Sequence, residues 1–330
     1  MRNPFASKLI ELLGQENMGL ASFLEWFRFG DRVAPNPDMS SDVASATFSR
    51  TLSRAEWYRE IDLADTEADT IQTALQEAGI KVQPIWLDRD ELSDFIDRFS
   101  GVVPRADAAS LPEDIAAIRD VLRTEKFIEF YLSAKAVDLR PDDVVVDIGS
   151  AESGFVATLV YEHPSVQAHA VDPSLAGLVP ASGRIHYHPD VISRAAVALP
   201  AVAVMSLHCA FEMFEPREMR AVIDTAKTKL RPGGALIISP LYMRSQRTIY
   251  VDSDRTPVPS RLGFGGHQAS VVGVKDYWGL AWSEWLSPQA LRDRLATDLG
   301  DLDFTVLRVM NPHVILPGCF IRFAGLWRRA

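Results

Sequence analysis

The sequence predicts an α/β protein: a doubly wound, mainly parallel seven-stranded sheet with an antiparallel C-terminal strand, preceded by a mostly helical N-terminal domain. From residue 142 onward, short β-branched runs alternate with helical patterns. Ahead of residue 140, apolar residues recur three or four apart instead. At the far end, Phe304–Val309 and Cys319–Leu326 sit where a closing antiparallel hairpin would go.

In the front part, Phe5–Leu13, Leu20–Phe29 and Leu52–Ile61 carry helical spacing, with Pro35-Asn36-Pro37 as a breaker between the last two. Thr66–Ala78 reads as a helix that stops at Gly79. Lys81–Leu87 alternates like a short strand, Arg89–Phe99 returns to helix, and a long amphipathic helix runs from beyond Pro112 to Lys135. The change of character at Arg140-Pro141-Asp142-Asp143 divides the chain into residues 1–138 and 139–330. Strands are expected at Val144–Ile148, Ala168–Val171, Arg184–His188, Ala201–Ser206 and Ala235–Ser239. Helices are expected at Phe155–Glu162, Pro216–Leu230 and Pro288–Leu295. Residues 242–286 are too long for an ordinary connection and read as an insert.

Composition narrows the function classes. A net charge of −10 and a pI near 5.2 argue against attraction to a phosphate backbone, so no nucleic-acid partner is expected. The longest apolar run, Ala195–Leu207, is too short for a membrane span and contains Pro200. With only Cys209 and Cys319 and no leader pattern, the reading is cytoplasmic. No metal site is expected: the histidines are scattered, and His186 and His188 share a strand face without matching cysteine or carboxylate spacing.

Chemistry concentrates at the strand ends. Val144-Val145-Val146-Asp147-Ile148-Gly149-Ser150-Ala151-Glu152-Ser153-Gly154 is a strand, a small-residue turn and a helix start, where ligands of open α/β sheets bind. Gly149 allows a tight turn and close approach, and Asp147 suits a cationic or amine-bearing ligand. Asp172 lies 23 residues beyond Gly149 at the next strand end, a spacing suited to ribose hydroxyls. Asp190 follows the third strand, with a helix cap as the competing role. Leu230-Arg231-Pro232-Gly233-Gly234 reads as a turn into the fifth strand.

In this order, the segments resemble the Rossmann-like class I methyltransferases that use S-adenosylmethionine (SAM). Asp147 and Gly149 match that family's Asp-x-Gly-x-Gly-x-Gly motif, while Ala151 and Ser153 replace its later glycines. The resemblance covers residues 142–240 best and implies methyl transfer, with S-adenosyl-L-homocysteine as product. It implies donor contacts from Asp147, Gly149, Ser150, Ala151, Asp172, Pro173, Asp190, Val191, Ser206 and Leu207. A dinucleotide-binding oxidoreductase competes for this geometry, but Glu152 in the turn would repel a pyrophosphate. A non-catalytic protein with an altered cofactor site is the other alternative.

For the acceptor side, His208 is a candidate general base with Glu212 orienting it four residues on. Local packing of His208 is the competing reading, and alignment alone could suffice without a base. His267, in the aromatic- and glycine-rich insert, is a further catalytic candidate. The expected partner is a small-molecule O or N nucleophile, with a homodimer left open. The helical front and the insert would close the substrate chamber; the alternative is that the front serves dimerisation and the insert's tryptophans pack against it or a second subunit.

Overall fold

The computed structural model describes residues 49–61, 65–99, 126–150, 154–178, 180, 183–253, 269–275, 282–314 and 321–330. The expected helices Phe5–Leu13 and Leu20–Phe29 lie outside these residues, as do Ala151, Glu152, Cys319 and His267.

The chain enters with β1 (Arg50–Leu52), α1 (Arg54–Ile61), α2 (Asp65–Glu77), β2 (Lys81–Ile85) and α3 (Arg89–Phe99). Leu52, placed by its spacing in the first of these helices, belongs instead to β1; Ser53 caps α1, its backbone N–H and hydroxyl both donating to Glu56. Gly79 ends α2 in the left-handed conformation, at φ 79°. A helical segment, α4, spans 126–134.

Next come β3 (Val144–Ile148), α5 (Gly154–Glu162), β4 (Gln167–Val171), β5 (Ile185–His188), α6 (Ile192–Ala195), β6 (Val202–His208), α7 (Pro216–Lys229) and β7 (Leu230–Ser239). They are followed by β8 (Thr248–Asp252), β9 (Ser270–Val274), β10 (Trp282–Trp285), α8 (Pro288–Leu295), β11 (Leu302–Val309) and β12 (Phe323–Arg329).

The main sheet has the order β2-β11-β12-β7-β6-β3-β4-β5. Seven of its strands are the expected ones, and β12 runs antiparallel to both neighbours while every other pairing is parallel. The eighth, β2, comes from the front of the chain and extends the edge along β11, with Val82 opposite Val306. Pro84, which cannot donate to a ladder, is tolerated in such an edge strand.

Both faces of the sheet are covered, which is why its strands read as continuous apolar runs. On one face Val146, Ile148, Met205, Leu207, Leu236 and Ile238 meet α7 and α8; Ile71 and Leu75 of α2 join the same core. On the other, Val145, Val204 and Ile237 meet α4 and α5 through Phe127, Phe130 and Phe155. Each such fully buried large apolar side chain contributes roughly 1.5–3 kcal/mol.

The Pro232-Gly233-Gly234 segment, expected as a turn ahead of its strand, falls within β7, where the register against β6 shifts between Val202 and Val204. A Cβ on Gly234 would stand 2.8 Å from Arg231 O and 2.9 Å from Ala203 O. Close backbone packing therefore requires glycine there.

The described part of the insert forms strands. β8, β9 and β10 join β1 in a second, four-stranded sheet of order β1-β9-β8-β10. Its core is Trp57, Tyr250, Val272, Val274 and Trp285.

Candidate active site

After β3 the chain steps outward to β4 and β5, then returns to β6 on β3's other flank. The strand order therefore reverses between β3 and β6, and ligands of open α/β sheets settle beyond the carboxyl ends at that point. Gly149 turns the chain there with φ 67°, and its N–H donates to Val171 O at 2.8 Å, tying the turn to the end of β4. A Cβ at position 149 would lie 2.5 Å from the Ala210 Cβ. Glycine is thus required by the close approach of the loop following β6.

Asp172, half-buried at the end of β4, accepts from Ser174 N through Oδ1 and caps the one-turn helix Pro173–Leu175. Its own N–H donates to His188 O. Asp190 accepts from Val191 N at 2.8 Å and from Arg194 Nε at 2.6 Å. The Arg194 guanidinium holds its carboxyl below the usual range. Val191 is the residue ahead of α6. Pro173 is exposed, whereas Ser150 is buried.

Pairing of β3 with β6 sets Asp147 beside Ser206, both fully buried. Ser206 Oγ donates to Asp147 Oδ1 at 2.7 Å. Two residues on, and so on the same face, His208 brings Nδ1 to 3.0 Å from the same oxygen, at an angle too poor for a hydrogen bond. His208 Nε2 shares a 2.8 Å hydrogen bond with Ser133 Oγ of α4. Phe130 and Phe155 hold the imidazole in T-shaped contacts, with centroids 4.9 and 4.5 Å away. Asp147 and His208 thus form a buried relay between the sheet and α4. Leu207 points to the opposite, apolar face.

A second polar group lies just past β6. Cys209 adopts φ 48°, a left-handed conformation that is strained for a side-chain-bearing residue. Its thiol donates to Glu129 Oε1 at 3.0 Å and lies 3.4 Å from the Tyr242 hydroxyl. Lys126 Nζ donates to the other Glu129 oxygen at 3.0 Å and to His208 O at 3.2 Å. Glu129 is fully buried.

Glu212, in the one-turn helix Phe211–Met213, is also buried, and its Oε2 has no hydrogen-bond partner among the described residues. Burial pushes its carboxyl up to about 7; Lys126 pulls it back and Glu129 adds to the rise. The ring nitrogens of His208 face Asp147 and Ser133 rather than Glu212.

The structure therefore gathers Asp147, Gly149, Ser206, His208 and Glu212 around the ends of β3 and β6, with Asp172 and Asp190 along β4 and β5. Lys126, Glu129, Ser133 and Tyr242 escaped the sequence reading. The first three lie on one helix, with no motif and only an i, i+3 charge pair as a signal. Among the described residues, no group of three or more His, Cys, Asp or Glu could hold a metal ion, and no helix is long and apolar enough to cross a membrane.

No protein-family model matches the chain, and no curated protein sequence matches it. Solved structures resemble it. One is an O-methyltransferase family protein from Burkholderia thailandensis, 18% identical, over 65% of this chain and 58% of that one, with a TM-score of 0.38. Another is the 1,6-didemethyltoxoflavin-N1-methyltransferase of Burkholderia thailandensis with S-adenosylhomocysteine bound, 15% identical over 76% and 93%, TM-score 0.40. A third is human N-acetylserotonin methyltransferase in complex with SAM, 14% identical over 81% and 68%, TM-score 0.35.

Proposed function

We propose that the protein is a SAM-dependent methyltransferase that acts on an oxygen or nitrogen nucleophile of a small molecule. The observation that carries this reading is the switch point between β3 and β6. There the left-handed Gly149 is tied to the end of β4, and the half-buried Asp172 carboxylate stands one residue beyond. The carboxylate-rich strand ends suit a ligand that carries a sulfonium and an ammonium but no phosphate.

Asp172 would hold the ribose hydroxyls, and Asp190-Val191 would border the adenine. The turn Gly149-Ser150-Ala151, Pro173 and the Ser206-Leu207 end of β6 would flank the donor. Asp147, satisfied internally by Ser206 and facing His208, would act at one remove by fixing the two strand ends. When bound, SAM supplies an electrophilic methyl group, whose bonding pair leaves with sulfur to give S-adenosyl-L-homocysteine. The chain's own share is alignment, water exclusion and proton acceptance. In this reading His208 positions α4, Glu212 faces the acceptor, and the insert with His267 and the helical front completes the substrate chamber.

Isothermal titration with SAM and with S-adenosyl-L-homocysteine tests this. Saturable binding that weakens about tenfold or more in Asp172→Ala supports it; no binding of either compound overturns it. A second reading, a non-catalytic protein with a remodelled site, is favoured by one observation. The space that Gly149 leaves open is filled by Ala210, with Phe214 3.6 Å from the same point. An unresponsive titration in a folded sample selects that reading.

A further inference from the structure

The buried group past the end of β6 is not needed to hold the donor, yet it contains polar atoms that the fold leaves unused. Glu212 Oε2 is buried without a hydrogen-bond partner, and Ser239 Oγ, on the residue paired with His208, is in the same state. A buried polar atom left unpaired bears its whole desolvation penalty, so such atoms point to a function or a missing partner. Two further features show that the place is built. Cys209 is held in a left-handed conformation that brings its thiol to Glu129, and Lys126 bridges Glu129 and His208 O. An aromatic group adjoins it through Tyr242, whose hydroxyl lies beside the Cys209 thiol: Tyr242 stacks on Trp285 with centroids 4.6 Å apart, and Tyr250 meets Trp285 edge-on.

We infer that Glu212, Glu129, Cys209 and Tyr242 form the acceptor subsite, and that it takes an uncharged small molecule whose nucleophile carries a proton, an aromatic O–H or N–H. The identification of the partner as a methyl acceptor rests on the methyltransferase reading. The chemistry follows from the charges. Glu129 is satisfied by Lys126 and the Cys209 thiol, so its role is to position and to keep the local charge negative. Glu212 has an oxygen to spare and accepts the proton. The acceptor's O–H or N–H bond breaks, its electron pair stays on the nucleophile for the bond to the transferred methyl, and the proton goes to Glu212. An anionic acceptor would meet two carboxylates, only one of them paired with a cation. A carboxyl brought to about 7 is matched to proton transfer near neutrality.

The test uses the full chain without SAM and three ring compounds of similar size: phenol (a donor), anisole (no donor) and benzoate (an anion), titrated by NMR. Phenol binding is expected to tighten roughly tenfold from pH 6 to pH 8 as Glu212 ionises, with anisole and benzoate at least tenfold weaker. Glu212→Gln is expected to abolish that pH response, while Glu129→Gln shifts its midpoint to lower pH. Carboxyl-carbon NMR of wild-type protein labelled at glutamate reads the same midpoint without any substitution. A flat phenol response in the wild type, an unchanged response in Glu212→Gln, or benzoate binding as tightly as phenol overturns the inference. SAM titration reports separately. Donor binding without the phenol response removes the subsite and leaves the methyltransferase reading standing. The phenol response without donor binding leaves a proton-accepting site for such rings and overturns its identification as a methyl-acceptor subsite.

Discussion

His208 Nδ1 lies 3.0 Å from Asp147 Oδ1 in the interior of the protein, while its Nε2 is bonded to Ser133 of a helix far earlier in the chain. The pair that the sequence marks as site chemistry is therefore also a joint between the sheet and α4. His208→Ala would remove the bond to Ser133, open a cavity between Phe130 and Phe155, and leave Asp147 with one polar neighbour fewer. The expected loss is about 2–4 kcal/mol of stability, read from denaturant unfolding. A change below 0.5 kcal/mol would show that the joint carries nothing.

Gly149→Ala is expected to be more harmful than its one methyl group suggests. The added Cβ meets Ala210 at 2.5 Å, and φ 67° disfavours any side chain. Destabilisation of about 1–3 kcal/mol and a loss of SAM affinity are expected together. The double variant with Ala210→Gly should recover part of the packing loss and none of the conformational one. Thermal melts of the two variants, set beside the wild type, separate these contributions.

Glu212 gives stability a pH dependence of definite sign. Its carboxyl is raised to about 7 in the folded chain from an ordinary 4.5, so between those values the native state holds the extra proton. Stability from this group is complete below about pH 4.5 and falls as pH rises through about 7, by on the order of 3 kcal/mol. Glu212→Gln should flatten that limb and melt higher than the wild type at pH 8. Matching melting curves across pH 5–8 would refute the assignment.

The histidines of β4 and β5 predict the opposite slope. His169 is buried, its ring stacked on that of His188 and tilted against that of His186, and it shares a 2.8 Å hydrogen bond with His188. Burial, then the neighbouring His188 and His186, lower its value to about 4, so the unfolded chain takes up the proton first. Stability should fall as pH drops from about 6.5 toward 4, and His169→Gln should blunt that fall. Because His188 O holds the N–H groups of Asp172 and Asp190, acid should also weaken donor binding. Titration with SAM at pH 5 and pH 7 checks this.

A chain starting at residue 139 should not fold as a soluble unit. It would lack α4, including Phe127, Phe130 and Ser133, and α2 with Ile71 and Leu75. Loss of β2 would also bare the β11 edge along Thr305–Val309. Soluble expression and a cooperative melt of the fragment would contradict this expectation.

Where sequence and structure agree, local signals sufficed. Arg89–Phe99 and Pro288–Leu295 match their expected helices at both ends, because apolar spacing, acidic first turns and proline starts are properties of neighbouring residues. The β-branched runs of β3 and β6 were equally legible. What escaped depends on distant pairing. Arg50–Leu52 is a strand only because Val272–Val274 lies beside it, and three residues carry no period of their own. In the candidate site, Asp147, Gly149 and Asp172 could be read from strand-end position. The Glu129–Cys209 contact joins residues 80 positions apart across the face of the sheet, and no local spacing encodes it.

The placement of β1 and β2 has a bearing on how the chain acquires its structure. Their partners β9 and β11 are more than 200 residues downstream, so neither pairing can form until most of the polypeptide has left the ribosome. Such large loop closures slow folding and prolong the exposure of apolar edges. The front segments must wait for the last strands, so nascent chains truncated before residue 309 should be the ones that recruit chaperones and aggregate.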